Sequence, residues 1–234
     1  MCLSIFVYNK RNYDFCICQM YQVYEDDLTR VVNIMRRVPP TSGKDNLFTD
    51  FLIQRNVLFA NVWLVRREVF FKAHPTKKIF PSKQGQNWQL LLPLAYRYKH
   101  GYINEPLCIC VSRQNSHSLA QRTLKQSVDR NLGFMELLTA TLKQLNAPNE
   151  KELLDFVFVK FMHQNLMLGI NYGDANLIYD CCKKAEEKHL DIFGTGVFDL
   201  KLLLNRYIFP RINLQVKLDE IKKDISKLND KLQK

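Results

Sequence analysis

The chain has 234 residues, 47% hydrophobic and 24% charged, which is ordinary for a globular protein and long enough for one domain with an appendage or for two small domains. The opening residues MCLSIFVYNKR carry too short an apolar run and no basic leader, and no window approaches about 18 uninterrupted apolar residues, which excludes a signal peptide and disfavours a spanning helix. The net charge of +11 is spread over the whole length without a compact basic block or a nucleic-acid motif, ranking an anionic membrane surface or an anionic substrate above DNA or RNA.

Residues 14–24 (DFCICQMYQVY) have strand composition, and Glu25-Asp26-Asp27 ends that strand in a solvated acidic turn. Cys16 and Cys18 share a face of it, as Cys108 and Cys110 share a face of a later strand. Four thiols could hold zinc, but neither pair sits on the tight turn that a zinc knuckle needs, so they read as small buried hydrophobes. The seven cysteines are an odd number, which with no leader peptide points to free thiols in a reducing, cytoplasmic setting.

Residues 36–43 form a basic loop broken by Pro and Gly, after which the spacing of Leu47, Phe48, Phe51 and Leu52 predicts a helix over 44–55. Residues 57–65 read as a strand, followed by a short helix opened by Arg66-Arg67-Glu68 and ending near Lys72. Residues 85–89 (GQNWQ) are a polar turn leading into an apolar helix over 90–98, whose Pro93 removes one hydrogen bond and calls for a kink or an offset start. His100-Gly101 stops that helix, and 102–111 is a strand expected to be buried on both faces. It delivers a polar cluster, Arg113, Asn115, Ser116, His117 and Ser118. Loops at strand ends beside helix N-termini are where α/β proteins hold anions.

Beyond residue 119 only helices are predicted, over 121–145, 150–168, 175–189 and 197–207. In the tail Leu214, Leu218, Ile221, Ile225, Leu228 and Leu232 step by four and three in alternation, a heptad seam that suits self-association through 212–232 or packing on its own domain.

The order of the central segments resembles the second half of the catalytic domain of family 2 glycosyltransferases, the inverting GT-A-type enzymes, and most of all their bacterial surface-polysaccharide branch. The residues that carry the likeness are Gln86-Asn87-Trp88, Glu105-Pro106-Leu107 and the run from Arg113 to Ser118, together with the strand and Arg-Arg-Glu helix before them. The likeness covers roughly residues 14 to 125 and implies an α/β fold, the C-terminal half of a GT-A-type domain over 1–120. A helical extension over 121–210 and the amphipathic heptad tail over 211–234 would follow it.

The same likeness puts Asn87, with Gln86, at the catalytic-base step, Trp88 on the acceptor side, and Arg113 and His117 on the donor diphosphate. It implies a nucleotide-sugar donor, a glycan or lipid-linked acceptor, Mg²⁺ or Mn²⁺ in the complete enzyme, and work at the inner face of the cell membrane. Asn87 departs from the usual Asp, and a carboxamide cannot take up the acceptor's proton at neutral pH. The nucleotide-binding strands and the Asp-x-Asp metal motif have no counterpart in this sequence, so the chain reads as the acceptor half, expected to turn over sugar nucleotides negligibly by itself. Two other readings remain open: a non-catalytic scaffold docking through the tail, and a basic nucleic-acid-binding protein.

Overall fold

The computed structural model describes residues 12–36, 47–52, 62–113 and 122–193; the helix expected over 197–207, the heptad tail and His117 lie outside them. The described part is mixed α/β. A four-stranded sheet is built on β1 (Phe15–Tyr24), whose aromatic and β-branched residues suit a central strand. β4 (His100–Ser112) runs parallel to β1 along its whole length. The other edge of β1 is shared: β3 (Trp63–Val65) pairs antiparallel with Phe15–Ile17, and β2 (Asp27–Met35) pairs antiparallel from Met20 to Tyr24.

β2 has no forerunner in the sequence reading, which stopped at the acidic turn. Its composition, DLTRVVNIM, is rich in β-branched residues, and the turn before it is a two-residue hairpin. Asp27 shapes that turn: its carboxylate accepts from the Thr29 backbone N–H at 3.0 Å and from the Thr29 hydroxyl at 2.7 Å. These bonds hold the Asp27 pKa below its ordinary value.

β4 also departs from expectation. It begins at His100, so His100-Gly101 are strand residues rather than a helix stop. Gly101 is required by close packing, since a Cβ there would lie 2.5 Å from the Tyr13 ring and 3.0 Å from Cys16 Sγ. The register against β1 slips on both sides of Gln19, where Pro106 stands opposite; a residue without an N–H fits such a break in the ladder. Beyond it Leu107, Ile109 and Val111 are exposed, so this strand is not buried on both faces. Their alternation with cysteine fits a sheet packed mainly on one side.

The helices are α1 (Leu47–Leu52), α2 (Arg67–Ala73), α3 (Gln86–Arg97), α4 (Leu124–Lys143), α5 (Glu150–Tyr172) and α6 (Ala175–Glu187). α3 is four residues longer at its start than predicted and stays continuous through Pro93, which is buried. α4 begins at Leu124 because Thr123 and Gln126 form a reciprocal cap, with Thr123 N–H on Gln126 Oε1 at 3.0 Å and Gln126 N–H on Thr123 Oγ1 at 3.3 Å. Asp174 caps α6 by accepting from Leu177 N–H at 2.9 Å.

The chain divides into two compact units, one of residues up to 122 with 133–150, the other of 123–132 with the residues after 150. The first has Phe15, Met20, Phe51, Leu91, Leu92 and Leu137 among its fully buried side chains. The second is helical, and Gly169 lets α5 and α6 approach closely: a Cβ there would lie 2.9 Å from Ile178 Cγ1. Among the described helices, α5 alone is long and apolar enough to cross a bilayer. Of that apolar stretch 33% is buried within the protein, Val157, Phe161, Met162 and Leu166 included.

Candidate functional site

The residues expected at the base step form the head of α3. Gly85 opens the helix in the left-handed region, at φ 50° and ψ 36°. Only glycine takes this readily, and here a Cβ would also sit 2.7 Å from the Phe134 ring and 3.2 Å from the Trp88 ring. Trp88 is 4% exposed and meets Phe134 edge-on at 4.9 Å. It therefore anchors the turn from beneath. Gln86 is exposed and Asn87 half-buried, so these two carry the polar surface of the first turn.

Gln89 does something the sequence reading missed. It is buried, and its amide clamps the backbone of Phe80, accepting from Phe80 N–H at 2.6 Å and donating to Phe80 O at 2.9 Å. Its neighbours in sequence are Trp88 and the Leu90-Leu91-Leu92 run, and a polar residue inside an apolar block was the available signal. A second tie comes from His74, whose Nε2 lies 3.0 Å from Leu90 O. Burial lowers the His74 pKa, and the bond to the Leu90 carbonyl opposes that shift. The segment before α3 is thus pinned at two points, which positions Gln86 and Asn87.

Arg113 is placed by β4. It follows that strand, whose register against β1 runs from Phe15 opposite His100 to Tyr24 opposite Ser112. There it lies beside the β1–β2 turn, with Nε 3.7 Å from Glu25 Oε2 and both side chains largely exposed. Among the described residues no hydrogen bond or ion pair joins Arg113 to Gln86, Asn87 or Trp88. His117, its expected companion, lies outside the described residues.

Comparison with known proteins adds nothing to the geometry. No family model matches the chain, and no curated protein is significantly similar to it.

Among the described residues no three His, Cys, Asp or Glu side chains converge, and the Asp27 carboxylate is engaged by Thr29. Of the cysteines, Cys18 and Cys108 approach each other, their sulfurs 3.9 Å apart. Burial, and then the neighbouring Cys108, push the Cys18 thiol up to about 11, so it stays protonated at neutral pH.

Proposed function

We propose that this chain is the acceptor half of an inverting, GT-A-type glycosyltransferase of the family 2 kind. In its complete form the enzyme moves a sugar from a nucleotide donor to a surface-polysaccharide or lipid-linked acceptor. What carries the reading is the order of motifs within one compact unit: strand, Arg-Arg-Glu helix, Gly-Gln-Asn-Trp helix head, Glu-Pro-Leu strand, then Arg113. The mixed α/β fold is compatible with it at the coarse level.

In this reading Gln86 and Asn87 orient the acceptor hydroxyl by hydrogen bonds rather than take its proton, since an amide is not basic enough. Trp88, Gly85 and the Gln89 clamp keep that turn in place. Arg113 offers a planar guanidinium suited to two parallel bonds to a diphosphate, and Glu25 is the group it would have to release. The base, the nucleotide pocket and the metal aspartates would come from the other half of the domain.

A glycan array with calorimetry on the full chain tests this. We expect binding to a surface-type glycan that falls about tenfold or more in Gln86→Ala/Asn87→Ala, and only weak binding of nucleotide sugars without turnover. Micromolar nucleotide-sugar binding with transfer would mean that the chain is catalytically complete. Absence of any glycan binding, with salt-dependent binding to random DNA, would replace the reading by the nucleic-acid one.

A further inference from the structure

A basic, partly apolar segment runs through α2 and the loop after it, and the glycosyl-transfer reading uses α2 as a motif but gives its exposed side chains no role. Residues 66–83 hold six Lys and Arg against one Glu. Arg67, Lys72, Lys77, Lys78 and Lys83 are all exposed, and among the described residues none of them pairs with a carboxylate. Between them stand Phe71, 42% exposed, and Ile79, 57% exposed.

The arrangement is held from inside. Phe70 stacks on Trp63, with centroids 6.1 Å apart and planes at 17°, and packs against His74 at 4.7 Å. Phe70 thus takes the inner place and its neighbour Phe71 faces outward. The following loop folds back so that Lys77 Nζ lies 5.4 Å from the Phe71 ring centre, with the Arg67 guanidinium at 5.9 Å. Both cations lie within cation–π reach of one ring, and Ile79 follows two residues beyond Lys77.

We propose that this surface docks the protein peripherally on an anionic phospholipid bilayer. Arg67, Lys72, Lys77, Lys78 and Lys83 would meet headgroup phosphates while Phe71 and Ile79 enter the boundary of the acyl region. The charge complementarity selects an anionic partner, and the apolar pair selects the bilayer over nucleic acid. An exposed isoleucine has nothing to gain from a phosphate backbone, whereas an interfacial segment gains from every apolar group it buries. Each basic side chain near such a surface contributes roughly fivefold in affinity. The proposal does not depend on glycosyl transfer; it would place any acceptor chemistry of this chain beside lipid-linked molecules.

Vesicle flotation of the full chain is the test, comparing phosphatidylcholine alone with phosphatidylcholine containing about one-third phosphatidylglycerol. The wild type should bind the anionic vesicles at least about a hundredfold more tightly than the neutral ones, since five cations at roughly fivefold each act only there. Lys77→Gln/Lys78→Gln should weaken that binding about 25-fold, at roughly fivefold for each lost cation. Phe71→Ser/Ile79→Ser should weaken it by about tenfold or more, with all charges kept. Lys183→Gln/Lys184→Gln, which removes the same charge from exposed positions on α6, should change it less than about twofold. Equal losses from the two lysine pairs would reduce the effect to overall charge and overturn the proposal. So would undiminished vesicle binding by Phe71→Ser/Ile79→Ser, or duplex DNA binding that needs Lys77 and Lys78 in a chain that ignores vesicles.

Discussion

His74 shows how one side chain joins packing to chemistry. Its ring lies on Phe70, its Nε2 reaches Leu90 O, and it thereby ties the outward-facing basic loop to α3. Burial favours the neutral imidazole, so the folded-state pKa lies below the unfolded value of about 6.5. Above that unfolded value both states are neutral and the stabilisation is complete. As pH falls the unfolded chain takes up its proton first, and stability is lost down through the folded pKa. We expect the thermal midpoint to fall between pH 7.5 and 5, and His74→Gln, which keeps a donor for Leu90 O, to flatten that slope. An unchanged slope in the variant would remove His74 as its source. At this scale the sequence showed which residue types gather at the head of α3 but not their roles. Trp88 and Gln89 look like parts of a polar turn until their burial is known, because Phe134, which covers Trp88, is far away in sequence.

Element by element, legibility followed the strength of the local signal. α2, α5 and α6 were found within a few residues, since apolar periodicity and caps such as Asp174 are written locally. β2 was missed because its burial is slight and its strand character depends on pairing with β1. The two-sided burial expected of β4 failed for a related reason: alternating Leu, Ile and Val with Cys does not say whether a second layer covers the sheet. In α5 the polar exception is more telling than the apolar run. Asn165 is 1% exposed, and its Oδ1 accepts from Asn131 Nδ2 of α4 at 2.8 Å. Asn131→Ala should cost about 1–3 kcal/mol by leaving that carbonyl unpaired, while Asn131→Leu/Asn165→Leu should cost clearly less than the two single leucine changes added together. Urea midpoints measure this, and simple additivity would show that the two amides are not coupled.

For the whole molecule, both an excess of positive charge and its local concentration over residues 66–83 were there to be read in the sequence, while the exposure of Phe71 and Ile79 in its company needed coordinates. The division into two units was only partly visible, because it runs through α4, where composition does not change. The heptad tail is legible from sequence alone and lies outside the described residues. Its six seam residues would each gain about 1.5–3 kcal/mol from burial, against the cost of ordering a helix only ~30 Å long. Three heptads are marginal by themselves, so pairing of two copies should be weak and dependent on concentration. A pair would also set two basic surfaces on one bilayer, and two modest attachments then act as a stronger one. Sedimentation of the wild type over a range of concentrations should show a monomer–dimer equilibrium. Ile221→Asp/Ile225→Asp should be monomeric with a thermal midpoint almost unchanged at matched concentration, and should bind anionic vesicles more weakly although the α2 surface is intact. A wild type that stays monomeric, with a variant that loses stability, would instead mean that the seam is covered within one chain and that each molecule reaches the membrane alone.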